Sequence, residues 1–286
     1  MLKTIQLLCF ALFFQTAAFS KNYVLRSPDK KITINISVGK NITWSVLKDQ
    51  EILIKPSAMS IILKDGRNPG IIPVVSKTIS KAVNQTIVSI IPVRNKLIPE
   101  VYNELRLQMK GNYAIEFRAY NDGVAYRFVT ELGPKPIEVN YEEVAFNFQE
   151  NCQVYLPKDD NPELQSHYEG DFKPAKLQEI PAEQYGYLPL YAATPAGTKM
   201  VITEADLHDY PNLFLYGTGT KTLTGRFPKV ILEASPKPNS DRAEVIVRKA
   251  AYHAKTTGNR TFPWRTIIIT SSDKELLENE MVYKLA

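Results

Sequence analysis

The sequence predicts an all-β fold of two large, stacked antiparallel sheets, on three observations. Apolar and polar residues alternate with a period of two in segment after segment. Fifteen Tyr and 12 Phe accompany many short Val, Ile and Thr runs bounded by Pro, Gly and Asn. No helical pattern separates one candidate strand from the next, as a parallel α/β sheet would require. A chain of 286 residues is long enough for one sheet-built unit with a sizeable core. Its 35 basic and 30 acidic side chains leave a formal charge of +5, spread out and not clustered among aromatics, which argues against a nucleic-acid partner.

Residues 1–20 read as a secretory signal peptide. Lys3 supplies the positive end, Leu7 to Phe14 the apolar stretch, and Ala17-Ala18-Phe19-Ser20 the small residues around a cleavage site. The apolar stretch is too short for a membrane span and no second one follows, so a secreted or periplasmic protein is expected. Cys9 leaves with the signal, and a lone Cys152 can form no internal disulfide and no two-cysteine metal site. A small buried side chain is its expected role.

The strands follow in order. Ile32, Ile34, Ile36 and Val38 alternate with polar residues, and Ile42, Trp44 and Val46 repeat the pattern. Asp65-Gly66 marks a tight turn after Ile61-Ile62-Leu63, and residues 113–129 form a hairpin around Asn121-Asp122-Gly123. In that hairpin Ile115, Phe117 and Ala119 face one way, with Glu116, Arg118 and Tyr120 opposite. Further strands are expected over 143–148, 186–193, 199–204, 212–216, 229–234, 243–248 and 265–270. Ser272 with Glu275 is a capping box opening a short C-terminal helix with Leu276, Leu277 and Met281 on its apolar stripe. The resulting division is a signal over 1–20, one β unit over 21–271, and over 272–286 a short helix and linker toward a further domain.

Polar chemistry concentrates in three places. Residues 156–183 have little pattern and are too long for an ordinary loop. They hold Asp159, Asp160, Glu163, Gln165, His167, Tyr168, Glu169 and Asp171, a set of oxygen donors with one imidazole that suits part of a calcium shell or a solvated acidic loop. Glu204, Asp206, His208, Asp209 and Tyr210 follow a strand end, where such residues line a pocket or cap a turn. Trp264-Arg265 enters the last strand, either as core or as a stacking ring beside a cation that binds sugar hydroxyls. The three histidines have no metal-binding spacing, and no nucleophile elbow, phosphate loop or glycosidase carboxylate pair can be nominated.

Five ordered motifs resemble a known family: Ser27-Pro28-Asp29; Tyr102-Asn103-Glu104-Leu105; the run from Glu116 to Phe128 through Arg118-Ala119-Tyr120-Asn121-Asp122-Gly123; Ile202 to Pro211; and Phe262-Pro263-Trp264-Arg265. Together they look like the N-terminal domain of glycoside hydrolase family 97. The resemblance implies a β-super-sandwich of the galactose-mutarotase type at the front of a secreted, calcium-dependent α-glucosidase or α-galactosidase. In that family a catalytic (β/α)8 barrel and a C-terminal β-domain follow, and the catalytic carboxylates are on the barrel. No catalytic residue is therefore assigned to this chain. The family's loop glutamate, which helps hold calcium, aligns with Gln165, with Glu163 and Glu169 close by and Glu204 as the alternative ligand. His167, Tyr168, His208, Asp209, Tyr210, Trp264 and Arg265 are the expected substrate-binding or domain-interface residues, with an oligosaccharide or α-glycoside and the barrel as partners. A stand-alone carbohydrate-binding sandwich stacking sugars on Trp264, Tyr168 and Tyr210 is the second reading. A mutarotase-like enzyme pairing His167 or His208 with Glu204 is the third.

Overall fold

A computed structural model describes residues 20–240 and 243–286. The expected signal peptide, apart from Ser20, lies outside the described residues. The alternating segments at the front become β1 (Lys21–Arg26), β2 (Ile32–Val38), β3 (Ile42–Lys48) and β4 (Glu51–Leu63). A long hairpin follows, β5 (Val75–Val88) and β6 (Leu97–Met109), then β7 (Tyr113–Tyr120) and β8 (Gly123–Phe148). Short strands come next: β9 (Gln153–Tyr155), β10 (Lys158–Asp159), β11 (Pro174–Lys176), β12 (Tyr185–Tyr187) and β13 (Leu190–Ala193). β14 (Lys199–Ala205), β15 (Phe214–Gly217), β16 (Thr222–Arg226), β17 (Ile231–Pro236), β18 (Glu244–Lys249), β19 (Ala254–Thr261) and β20 (Trp264–Thr270) complete the strands.

All the pairings are antiparallel and assemble two large sheets. The first runs β5-β6-β7-β8-β20-β14-β13-β9-β11. The second runs β1-β2-β3-β4-β8-β16-β15-β12-β10. β8 belongs to both, because it passes from one sheet to the other through a bend at Gly133-Pro134, where Gly133 has φ 91°. β19 follows it across, with a register shift between Thr257 and Asn259. The intervening Gly258 is required there, since a Cβ would sit 2.5 Å from the Gly133 carbonyl oxygen.

The core lies between the sheets. Phe117, Tyr126, Phe128 and Ile267 from the first meet Ile34, Trp44, Phe146 and Phe148 from the second. Trp44 packs edge-on to Tyr126 at 4.9 Å and to Phe146 at 6.2 Å. Cys152 is a buried free thiol, as expected.

Three local expectations change. The strand over 186–193 is two, β12 and β13, in different sheets, because Pro189 has no N–H for a ladder bond. β17 and β18 pair with each other as a separate two-stranded ribbon. The tail carries two short helices, α1 (Asp273–Leu277) and α2 (Met281–Leu285), where one was expected. Ser272 caps α1 by accepting the Glu275 N–H at 3.3 Å. No helix among the described residues is long and apolar enough to cross a membrane.

Candidate functional site

The period of two decides which polar residues go inside. On β14, Glu204 is in phase with the buried Met200 and Ile202; on β20, Arg265 is in phase with Ile267 and Ile269; on β8, Glu142 is in phase with Val144, Phe146 and Phe148. All three side chains therefore enter the space between the sheets. Glu204 and Arg265 are direct cross-strand partners. The Arg265 guanidinium donates to Glu142 Oε1 and Oε2 at 2.9 and 2.8 Å and to Glu204 Oε2 at 2.5 Å. Tyr210 donates its hydroxyl to Glu142 Oε2 at 2.9 Å, and Leu213 N–H donates to Glu204 Oε1 at 3.1 Å. One cation thus faces two carboxylates. Burial is the largest influence on Glu204 and raises its carboxyl above the ordinary range, with the Arg265 charge offsetting only part of this.

The outer face of the first sheet carries a lattice of ion pairs. Arg127 donates to Glu116 at 2.7 Å and to Asp206 at 3.2 Å, and Arg106 meets the other Glu116 oxygen at 2.6 Å. Arg118 donates to Glu104 at 3.0 Å. Between these rows sits the Trp264 ring, 4.7 Å from the Arg118 guanidinium and 4.2 Å from that of Arg127. Burial alone would raise the Glu116 carboxyl, but the Arg127 and Arg106 charges together hold it below its ordinary range.

Two irregular segments meet beside the triad. In the turn after β14, Asp206 and Asp209 occupy left-handed backbone (φ 57° and 48°), and Leu164 and Tyr168 do the same in the 158–171 loop (φ 56° and 59°). Arg127 holds the turn through Asp206, and Arg260 holds it by donating to the carbonyls of His208 at 2.9 Å and Asp209 at 3.1 Å. Tyr168 comes in from the loop and packs edge-on to Tyr187 at 4.9 Å, with its hydroxyl against Asn212 and within the field of Glu204. Gly186 lets the adjoining strands close, since a Cβ there would lie 2.4 Å from the Pro157 carbonyl oxygen.

The three clusters singled out in the sequence are thus one neighbourhood, although its members do not all face outward. Trp264 is 1% exposed and Arg265 0%, which fits the core reading of the two that the sequence left open: one is packed between guanidiniums, the other neutralises buried carboxylates. Tyr210 is no free stacking platform either, with Phe262 and Phe227 rings at 5.3 and 5.9 Å and its hydroxyl turned inward to Glu142. Of the three proposed stacking rings only Tyr168, 51% exposed, keeps an accessible face. His208 Nε2 lies 3.3 Å from Asp206 while Glu204 is engaged by Arg265, so the His208–Glu204 pair of the mutarotase-like reading is not formed; His167 is exposed on the loop. Asp209 is exposed, with its carboxylate 3.4 Å from the Thr256 hydroxyl. In the loop, Glu163 is paired with Lys249, while Gln165 and Glu169 point to solvent.

The sequence assigned no role to Glu142, Arg127, Arg260 or Asn212, although Arg127 lies in the Glu116 to Phe128 motif and Arg260 shortly before Trp264-Arg265. Glu142 had a usable signal, because it occupies a core-phase position of an otherwise apolar strand. The other three are brought in by tertiary contacts that have no periodic signature.

The donor set fits calcium only in part. Among the described residues no group of three or more His, Cys, Asp or Glu side chains is placed to hold a metal ion. Glu204 has one protein partner on each carboxylate oxygen, so it has lone-pair capacity for a cation approaching from outside the triad.

The two shifted carboxyls predict opposite pH responses. Glu116, lowered on folding, contributes stability that is present above its unfolded value and lost as pH falls through its folded value. Glu204, raised on folding, contributes stability that is full below its unfolded value and lost as pH rises through its folded value. Urea unfolding of Glu116→Gln should therefore lose the acid-side fall this group supplies, and Glu204→Gln should lose a decline that sets in as pH rises above the ordinary carboxylate range. Identical pH profiles for the two variants would contradict the assignment.

A family model described as glycosyl-hydrolase 97 N-terminal matches residues 25–286. A retaining α-galactosidase of Bacteroides thetaiotaomicron is 30% identical over 277 residues, 93% of this chain and 41% of that protein. The chain therefore spans less than half the length of this curated relative. Among solved structures, a glycoside hydrolase family 97 enzyme from Pseudoalteromonas sp. strain K8, in complex with acarbose, superposes with a TM-score of 0.69 at 20% identity over 90% of this chain and 38% of its own. A β-arabinopyranosidase gives 0.70 at 17% identity over 88% and 40%. These two likenesses show the shared fold. The family match takes in both sheets, the Arg265 triad and both helices, and the chain belongs to the glycosyl-hydrolase 97 N-terminal family.

Proposed function

We propose that this sandwich is the accessory domain of a secreted or periplasmic, calcium-dependent α-glycosidase, and that it forms part of the rim of an active site whose acid and base or nucleophile belong to a separate catalytic domain. The observation that carries the reading is the convergence of the 158–171 loop and the 206–209 turn around Glu204, at one place and on strained but well-anchored backbone. Tyr168 offers a ring to a sugar face, and His208, 85% exposed, offers donors and acceptors for hydroxyls. Glu204 supplies one oxygen ligand to calcium, with Gln165, Glu163 and Glu169 of the loop as further donors. Calcium bound there would polarise or orient sugar oxygens. Arg265 keeps the Glu204 carboxylate in place while Glu142 balances the arginine. The relatives' sugars, a galactoside and an arabinopyranoside, suit a pyranoside substrate.

Calorimetry is the test of the partial calcium site. The 286-residue chain should bind calcium no more tightly than weak extracellular modules, with a Kd of about 10⁻⁴ to 10⁻³ M, and Glu204→Gln should weaken binding further. Micromolar affinity would mean a complete site within this chain, and unaltered affinity in Glu204→Gln would remove Glu204 from the shell.

A further inference from the structure

The β5–β6 hairpin ends in an apolar tip that the candidate site does not use. Ile90 is 98% exposed, and Ile91, Val93, Val88 and Leu97 are each 60% or more exposed. Five large aliphatic side chains within ten residues are uncommon on a free surface and mark an interaction site. Three hydrogen bonds shape the tip. Ser89 N–H donates to the Lys96 carbonyl at 2.9 Å, the Ser89 hydroxyl to the Ile91 carbonyl at 2.8 Å, and Val93 N–H to the same carbonyl at 2.9 Å.

A second set of contacts ties the tip to the C-terminal helix. Asn95 donates its backbone N–H and its side-chain amide to the two Glu280 oxygens at 3.3 and 3.2 Å, and Glu280 is the N-cap of α2. The buried Met281 and Leu285 of α2 share one apolar cluster with Tyr102, Tyr120, Ala205, Trp264 and Ile268 on the outer face of the first sheet. Asn279 and Lys284 fasten the same segment to Asp122 at 2.9 and 3.4 Å. α2 is thus clamped to the tip at its N-cap and seated by its apolar side on the outer face of the first sheet. At a helical rise of about 1.5 Å per residue, residue 286 lies within about 9 Å of the Glu280 clamp. The matched relatives are more than twice as long as the part this chain covers, and a polypeptide continuing from α2 would start beside the tip-anchored Glu280.

From this placement we infer that the tip formed by residues 88–97 is a preformed docking knob for the catalytic domain of the same protein. Its occupant is an apolar pocket on that domain with carboxylates at the rim opposite Arg94 and Lys96. The inference rests on the accessory-domain reading and adds where the two domains lock together. Tethering through α2 raises the effective concentration of such a pocket at the knob, so a modest apolar contact suffices to hold it.

The test compares the 286-residue chain with the product of its full gene. In wild-type protein, amide exchange over residues 89–96 should be slowed about tenfold or more in the full-length product relative to the chain alone. Ile91→Cys reports the same contact by thiol labelling of the tip peptide, with Val24→Cys on the exposed part of β1 as the control that labels equally in both. Cys152 stays silent, because burial pushes its thiol up to about 11. Equal exchange and equal labelling of the tip in the two forms would overturn the docking inference, as would a gene encoding nothing beyond these residues. Hydrolysis by the full-length product separates the two ideas: an active enzyme with an unprotected tip refutes the knob alone, and an inactive one with a protected tip refutes the glycosidase reading alone.

Discussion

Arg265→Ala is expected to cost about 3–5 kcal/mol of unfolding free energy, because it leaves Glu142 and Glu204 facing each other inside the sandwich with no cation between them. The guanidinium is wholly inaccessible and its three charged contacts are all short, so water cannot replace it. Arg265→Lys should recover little, since a point ammonium cannot reproduce the bidentate grip on Glu142 while also reaching Glu204. Removing the unpaired carboxylates together with the arginine, as Arg265→Met with Glu142→Leu and Glu204→Met, should return most of the loss. Urea melts decide it: a single Arg265→Ala variant within about 1 kcal/mol of the parent would mean the triad is not the buried unit described.

Phe117→Ala should be as damaging, at about 3–5 kcal/mol, the usual range for deleting a fully buried phenyl ring. Its neighbour corrects a simple two-faced picture of the hairpin. Alternation places Glu116 away from the sandwich core, on a face that would ordinarily meet water and tolerate alanine. That face is closed by the ion-pair lattice, and Glu116 accepts from both Arg106 and Arg127. Glu116→Ala should therefore cost about 1–3 kcal/mol, the scale of losing charged hydrogen bonds, rather than nothing. Chemical unfolding that finds Glu116→Ala neutral would show the lattice to be ornamental to stability.

The legible part of the fold was the part governed by local periodicity. β2, β3 and β7 follow directly from alternation, β20 from its short apolar run Ile267-Ile268-Ile269, and the two-residue Asn121-Asp122 turn from hairpin chemistry. β5 was illegible because its side chains are mostly exposed and its apolar Val75, Ile79, Val83 and Ile87 recur every four residues, not every two. β8 joins the second arm of the expected hairpin to the expected 143–148 strand, because Gly133 and Pro134 bend one strand between two sheets and do not end it. The site was half legible. Composition located the 158–171 loop and the 204–211 segment, but the burial of Trp264 and the inward turn of Arg265 depend on which sheet face is covered. For Arg265 the phase with Ile267 and Ile269 already held that information. No such signal existed for Tyr168 meeting Asn212, a contact between loops set only by the closed sandwich.

If the catalytic acid and its base or nucleophile reside elsewhere in the protein, this chain can orient a sugar but cannot both protonate a leaving group and attack the anomeric carbon. Release of nitrophenol from aryl α-galactosides and α-glucosides by the purified 286-residue chain, with and without calcium, is the measurement that tests this most directly. The expected result is no turnover above buffer under either condition. Calcium-dependent hydrolysis by this chain alone, abolished in Glu204→Ala, would contradict the accessory-domain account and place a complete catalytic apparatus within the sandwich.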